Sequence, residues 1–193
     1  MAESPAIAAT RRWVEQVVVG LNICPFAAAP VRGERIRYSL CEASHPEAIY
    51  RALLQEMEDL IGLPESVAEG SLLVVPQGLE NFADYLDLFQ VAEAAIPEAG
   101  LEGILQLASF HPDYQFHGAA PDDPANYTNR SPYPMFHLIR EAPLERALAR
   151  HPDPEGIPAR NIELLRRLGL ASMRERLASC FDPSGDAGGG DSV

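Results

Sequence analysis

Apolar and polar residues alternate with two different periods near the start of the chain. From residue 14 to residue 21, valines and a leucine recur at i, i+3, i+4 and i+7, the spacing of one face of an amphipathic helix. Thr10 is a suitable N-cap for this helix, and Pro25 predicts its end near Cys24. Residues 35–42 instead alternate apolar side chains with polar and charged ones, which predicts a half-buried strand.

Further apolar patterns follow along the chain. They predict helices at 46–62, 80–96, 159–168 and 171–180, and buried strands at 71–76 and 103–110. An internal echo predicts one more strand, at 136–142. The stretch FHLIREAPLERALARH repeats the order of RYSLCEASHPEAIYRALL: an apolar strand, Glu-Ala, a proline close to a glutamate, then a helix containing Arg-Ala-Leu.

This order of elements predicts the fold class. Strands that alternate with helices are typical of an α/β fold, here with a small, about four-stranded, mainly parallel or mixed sheet flanked by helices. We expect residues 1–181 to form a single domain, and the Gly-, Asp- and Ser-rich residues 182–193 to form a disordered tail.

A long segment between two predicted strands, residues 111–135, has no regular period. Connections this long in compact domains usually carry function or are disordered. Four aromatic residues and five prolines favour order, because prolines lower the entropy cost of holding one conformation. We therefore predict an ordered 25-residue loop.

The charge balance limits the classes of partner. The formal net charge is −13, which disfavours nucleic acids and anionic membrane surfaces as partners. All fifteen basic residues are arginines, so mechanisms that need a lysine, such as Schiff-base formation, are excluded. The hydrophobic content of 47% suffices for a packed core.

Cysteine usage and hydropathy predict the compartment. The three cysteines are odd in number and include no Cys-x-x-Cys pair, which favours a reducing, cytoplasmic environment. The first residues lack the pattern of a secretion signal, and no apolar run approaches the roughly 20 residues that span a bilayer.

His111 directly follows a predicted buried strand, with Asp113 two residues later. Ligands of parallel α/β sheets bind beyond the carboxyl ends of the strands. A histidine beside an aspartate can act there as a general base or as a metal ligand. Glu141 would join them if all four strands were parallel. The alternative is that His111 holds the loop by hydrogen bonds to the backbone.

Hydrogen-bonding side chains cluster in the second half of the long segment: Asn126, Thr128, Asn129 and Arg130. With Arg140 at the end of the next strand, they suit a carboxylate or a phosphate, which arginine binds in bidentate fashion. Alternatively, the Asn and Thr side chains cap their own backbone, and Arg130 pairs with Asp122 or Asp123. His137 either faces this site or lies in the core.

Cys24 lies in NICPF, at the predicted C-terminal end of the first helix. A helix C-terminus does not lower a thiol pKa, so a structural, buried thiol is favoured over a nucleophile. A metal or haem site through Cys24 and a histidine is an alternative, although no tight ligand spacing predicts a metal site. The sequence indicates no particular cofactor and no oligomeric state.

The motifs NICPFA, FHPDYQF and DDPANYTNRSPYPMFHLIRE together resemble a bacterial family known as domain of unknown function 1415. The resemblance extends from the first helix to about residue 170 and implies a single-domain protein without an assigned activity. The polar positions that match its motifs are Cys24, His111, Asp113, Asp123, Asn126, Thr128, Asn129, Arg130, His137, Arg140 and Glu141.

The functional prediction from the sequence is a cytoplasmic enzyme or small-molecule binder that acts on an anionic metabolite. In this hypothesis Arg130 and Arg140 hold the anion, Asn126 and Asn129 orient it, and His111 transfers protons together with Asp113 or Glu141. A non-enzymatic alternative is a protein-docking module that uses the Pro- and Tyr-rich loop.

Overall fold

The computed structural model describes residues 3–182 of the 193-residue chain. Its α-helices are α1 (Pro5–Trp13), α2 (Ala28–Arg32), α3 (Pro46–Gly62), α4 (Phe82–Glu98), α5 (Glu141–Leu148), α6 (Ile157–Leu168) and α7 (Leu170–Ser179). Its strands are β1 (Ile36–Leu40), β2 (Gly70–Val74), β3 (Leu105–Phe110) and β4 (Met135–Arg140). A π-helix (Val14–Val19) continues α1, and a 3₁₀ helix (Pro124–Thr128) lies between β3 and β4.

The four strands form one mixed sheet in the order β1-β2-β4-β3. β1 and β2 are parallel, with Tyr38 opposite Leu72. β4 is antiparallel to both of its neighbours, so that His137 lies opposite Leu72 on one side and Ala108 on the other. β1, β2 and β3 therefore share one direction, and β4 alone runs against them. The predicted α/β class with a four-stranded mixed sheet is confirmed.

Helices cover both faces of this sheet. On one face α3 and α4 pack against β2 and β4 through a core that includes Leu53, Leu73 and Phe136. On the other face the π-helix, α6 and α7 pack through a second core that includes Val17 and Met135. Each fully buried side chain of this size contributes about 1.5–3 kcal/mol by removal from water. Two cores, one on each face, thus hold the sheet.

The N-terminal helix starts earlier and is less regular than its apolar pattern predicts. Ser4 caps α1 by accepting a hydrogen bond from the Ala6 N–H, whereas Thr10 lies inside the helix and donates to the Ala6 carbonyl. The prediction of Thr10 as the N-cap is therefore wrong. After Trp13 the backbone changes to a π-helix that ends at Gly20. A Cβ at Gly20 would lie 2.4 Å from the Gln16 carbonyl oxygen, so the close approach requires glycine.

The connection between β3 and β4 lies within the described residues throughout and contains the 3₁₀ helix as its regular element. The disordered tail predicted for 182–193 falls outside the described residues, except for Asp182. Helix α2 has no counterpart among the predicted elements, because its five residues are too few to show a helical period.

One tyrosine ties the end of β3 to the start of β4. The Tyr85 hydroxyl, fully buried on α4, accepts a hydrogen bond from the Phe110 N–H at 3.0 Å and donates to the Met135 carbonyl at 2.9 Å. Phe110 and Met135 are opposite each other in the strand register. The hydroxyl therefore satisfies two backbone groups at the point where the long connection leaves the sheet.

We expect Tyr85→Phe to lower the free energy of unfolding by about 1–3 kcal/mol, because it leaves a buried N–H and a buried carbonyl without this partner. Urea denaturation measures the change. Tyr50→Phe on α3 is the matched control, since Tyr50 is only partly buried, and it should change stability by less than about 0.5 kcal/mol. Equal effects of the two substitutions would contradict the role of Tyr85.

Candidate functional site

His111 is buried at the turn that follows β3, and both of its ring nitrogens are engaged. Nε2 lies 2.9 Å from the Leu79 carbonyl, and Nδ1 accepts a hydrogen bond from the Asp113 N–H at 3.0 Å. The ring packs against Phe82 and Tyr85, with centroids 5.1 Å away in each case. Burial lowers the pKa of His111, which keeps the imidazole neutral. These contacts hold the turn, while the side chain of Asp113 itself is exposed.

The polar side chains of the long connection bond to its own backbone. Asn126, fully buried, accepts from the Phe116 N–H at 3.1 Å and donates to the Ala120 carbonyl at 2.8 Å. Asn129 donates to the Ser109 carbonyl, and Thr128 donates to the Ala125 carbonyl. Such bonds fix a loop that has few ladder hydrogen bonds of its own. The structure thus gives these side chains a part in loop architecture.

Arg130 also bonds to backbone. Its Nε donates to the Tyr114 carbonyl at 3.0 Å and Nη2 donates to the Pro121 carbonyl at 2.8 Å, while the guanidinium lies 4.9 Å from the centre of the Tyr127 ring. Asp123, one of its two predicted partners, instead pairs with Arg166 on α6 at 2.7 Å. Arg130 therefore connects three parts of the loop.

Arg140 and Glu141 lie at one end of the strands and His111 lies at the other. The Arg140 guanidinium donates to the carbonyls of Leu60, Leu63 and Ala68, around the end of α3. Glu141 begins α5. The prediction that Arg140 and Glu141 join His111 in one site is wrong, because β4 is antiparallel and its carboxyl end lies at the amino ends of the other strands. Their individual roles in catalysis or binding stay predictions.

An apolar cavity of about 290 Å³ lies on the sheet face that carries the π-helix. Strand residues form its floor: Ile36, Gly70, Leu72, Ala108, Phe110, His137 and Ile139. Its walls come from the end of α1 and the π-helix, from the segment between Cys24 and Val31, and from α5. The side of α5 that contributes to the wall consists of Pro143, Leu144 and Ala147.

His137 lies in the middle of this floor, on the central strand β4. Two of its strand neighbours are small: Ala108 is directly opposite on β3, and a Cβ added to Gly70 on β2 would lie 3.3 Å from His137 Nε2, whereas the residue directly opposite on β2 is Leu72. The nearest ring is Phe110, with centroids 6.2 Å apart, and no residue between 3 and 182 makes a hydrogen bond to the imidazole. Burial lowers the pKa of His137 to about 4, so the ring is neutral at pH 7.

Trp13 and Cys24 add two further polar atoms to the cavity wall. Trp13 packs edge-on against Phe110 at 5.2 Å, and its buried Nε1–H has no acceptor within the described part of the chain. Burial raises the pKa of the Cys24 thiol, which therefore stays protonated at neutral pH. The wall is thus uncharged at both positions.

The same cavity bears on the predicted alternative of a metal or haem site through Cys24 and a histidine. Cys24 and His137 both line it. Among residues 3–182, however, no group of three or more His, Cys, Asp or Glu side chains is arranged to hold a metal ion.

None of the helices described is both long and apolar enough to cross a membrane.

Of the cavity residues, the sequence identified His137, Arg140 and Cys24 as candidates and missed Trp13, Phe110 and Gly70. The π-helix, which contributes to the cavity wall, is a feature that occurs frequently at functional sites, but it cannot be recognised in the sequence. Gly70 at the start of a buried strand can be recognised there, because glycine in a strand commonly marks a close approach.

The fold and the cavity define a single-domain α/β protein with a mixed sheet and an apolar cavity on one of its faces. The chain belongs to the family described as a protein of unknown function, DUF1415, whose model matches residues 5–175. The resemblance found in the sequence motifs is thereby confirmed. No curated protein matches the chain, and no solved structure does.

The neutral state of His137 predicts a pH dependence of stability. Its pKa is about 4 in the folded chain and about 6.5 when unfolded, so the unfolded chain binds more protons between these values. The stability that depends on a neutral His137 is fully present above about pH 6.5 and is lost as the pH falls towards 4. When urea denaturation is measured at several pH values in this window, the free energy of unfolding should depend less steeply on pH for His137→Gln than for wild type. His117→Gln, at an exposed position, should keep the wild-type slope.

The contacts of Asn126 predict a loss of stability on substitution. Asn126→Ala removes two hydrogen bonds made by a fully buried side chain and should lower the free energy of unfolding by about 1–3 kcal/mol. Gln115→Ala in the same loop removes one exposed hydrogen bond and should cost less than about 0.5 kcal/mol. Wild-type stability of Asn126→Ala in thermal or urea denaturation would contradict the architectural role.

Proposed function

We propose that this protein binds a small, mainly apolar molecule in the cavity over β2, β4 and β3. The observation that carries the proposal is the apolar cavity of about 290 Å³ with His137 as an unpartnered polar group in its floor. Small-molecule sites are typically concave and apolar with a few convergent polar groups, and begin at about 300 Å³. The cavity has this composition and lies at the lower end of this size range.

The frame around the cavity supports a preformed site. Its floor is made of paired strands, and the Trp13 ring in its wall packs against Phe110 of the floor. Pro143 and Leu144 line it from the first turn of α5, directly after β4. A site on such regular elements needs little ordering when a ligand arrives, which lowers the cost of binding.

The polar atoms of the wall support small-molecule binding further. Buried polar groups are nearly always hydrogen-bonded in folded proteins. Trp13 Nε1 departs from this rule, and the partly buried His137 ring also makes no hydrogen bond within residues 3–182; both rings lie near Phe110. A ligand with a hydrogen-bonding group provides a partner for the His137 imidazole, which lies open in the cavity floor.

The anionic metabolite predicted from the sequence is the second candidate. One observation favours it: neither Arg130 nor Arg140 pairs with a carboxylate among residues 3–182, so the charge of each is unneutralised by a side chain. Two observations count against an anion site: both guanidinium groups are held by backbone carbonyls, and they lie at opposite ends of the strands. The apolar cavity is therefore the better supported site.

Filling the cavity tests small-molecule binding. Ala147→Phe places a ring into the cavity from α5, whereas Ala142→Phe adds the same ring to an exposed position of the same helix. A set of uncharged bicyclic fragments, carboxylates and phosphates is first ranked on wild type by thermal shift, since a ligand of the folded state stabilises it by mass action. The best fragment should bind Ala147→Phe at least about tenfold more weakly than wild type, and Ala142→Phe within about twofold.

Two results would contradict the proposal. One is a fragment that binds both variants as it binds wild type, which would place its site outside the cavity. The other is stabilisation by phosphates or carboxylates alone, lost in Arg130→Ala and kept in Ala147→Phe, which would favour the anion site of the loop.

A further inference from the structure

Aromatic side chains line the cavity, and the volume of the cavity indicates the size of the ligand. Trp13, Phe26 and Phe110 all line it, beside the His137 ring. Aromatic side chains prefer edge-to-face or offset contacts with other rings, which a flat ligand supplies. A cavity of about 150 Å³ accommodates benzene, so 290 Å³ suits a ligand of roughly 12 non-hydrogen atoms, the size of two fused six-membered rings.

Two of the side chains that line the cavity carry a charge, Glu69 and Arg140. On the residue before β2, Glu69 pairs with Arg35 at 2.5 Å. At the end of β4, the Arg140 guanidinium is held by three carbonyls around the end of α3. On the segment after the π-helix, Cys24 is a protonated thiol. Glu69 is thus paired, and the Nε and Nη2 groups of Arg140 are engaged by carbonyls, although no carboxylate among residues 3–182 neutralises the charge of Arg140.

The engagement of both charged side chains favours an uncharged ligand. A carboxylate would gain a cationic partner only by drawing Arg140 away from its three carbonyls, or by placing a proton on His137 against the effect of its burial. A cation would be buried without a carboxylate, since Glu69 is already paired. An uncharged ligand avoids both costs and still makes a hydrogen bond to a neutral imidazole, which offers one donor and one acceptor.

We propose that the ligand is an uncharged, two-ring aromatic molecule whose single hydrogen-bonding group meets the His137 imidazole. This inference rests on the proposed function, because it names the class of molecule that the same cavity binds. It also explains the small neighbours of His137: Gly70 and Ala108 leave its ring accessible in a floor that is otherwise made of larger apolar side chains.

Three compounds of matched shape test the inference: naphthalene, 2-naphthol and 2-naphthoate. The first is apolar, the second carries a phenolic hydroxyl that stays un-ionised at pH 7, and the third is a carboxylate. The chain contains one tryptophan, so its indole N–H gives one resolved signal in a ¹H–¹⁵N correlation spectrum. Because Trp13 lines the cavity, titration of this signal measures occupancy of the site directly.

The expected result is that 2-naphthol shifts the Trp13 signal with a dissociation constant about three- to tenfold lower than that of naphthalene, the worth of one hydrogen bond. 2-Naphthoate should bind at least about tenfold more weakly than 2-naphthol. In His137→Leu, which keeps the volume of the side chain and removes its polar atoms, naphthalene and 2-naphthol should bind equally. The dispersion of the other amide signals verifies that this variant is folded.

The contrary outcomes separate the two proposals. Equal binding of naphthalene and 2-naphthol to wild type, or tightest binding of 2-naphthoate, would overturn the ligand class and leave the cavity as a binding site. A preference for 2-naphthol that persists in His137→Leu would overturn the role of His137. No shift of the Trp13 signal with any of the three compounds, up to their solubility limits, would overturn the proposed function itself.

Discussion

The antiparallel pairing of β4 between β2 and β3 determines where every candidate group lies. It places His137 in the centre of the sheet, between Leu72 and Ala108, instead of at a strand end. It also places Arg140 at the end of the sheet that lies beside the last residues of α3, where three carbonyls accept its hydrogen bonds. A parallel β4 would have brought Arg140 and Glu141 beside His111. The direction of one strand thus separates Arg140 and Glu141 from His111.

The long connection between β3 and β4 is more than this pairing requires. A tight hairpin could join two neighbouring antiparallel strands whose ends, Phe110 and Met135, are opposite each other. Instead the chain forms a folded segment closed by Asn126, Asn129 and Arg130, whose side chains bond to backbone carbonyls and amides. His111 and Tyr85 secure its first residues. The dense polar composition of this segment thus has a structural explanation.

Much of the fold could be predicted from the sequence. The bounds of α3 agree with the predicted 46–62, since Pro46 at its start and the four-residue apolar spacing are local signals. The class of fold followed from the order of elements. Strand direction could not be predicted, because an apolar run has the same period in a parallel and an antiparallel strand. The π-helix was missed for a similar reason: apolar spacing does not encode a change in hydrogen-bond register within one helix.

The candidate site was predictable only in part. The sequence identified His137 as a histidine that either faces a site or lies in the core, and the structure places it at the floor of a cavity within the second core. Its neighbours Trp13, Gly70 and Phe110 come from three elements far apart in the chain, and each taken alone has an ordinary structural explanation. Only tertiary packing shows that the imidazole lies in a cavity that aromatic residues also line, with small residues beside it.

The most direct test of ligand binding at His137 is a crystal structure of the protein soaked with 2-naphthol. We expect density for the bicyclic ring between the π-helix and β4, with the hydroxyl oxygen within about 3 Å of a ring nitrogen of His137. We also expect that the hydrogen bonds of Asn126 and Arg130 to the backbone are unchanged. A ligand found on the long connection beside Arg130, with the cavity filled by protein side chains, would contradict binding at His137.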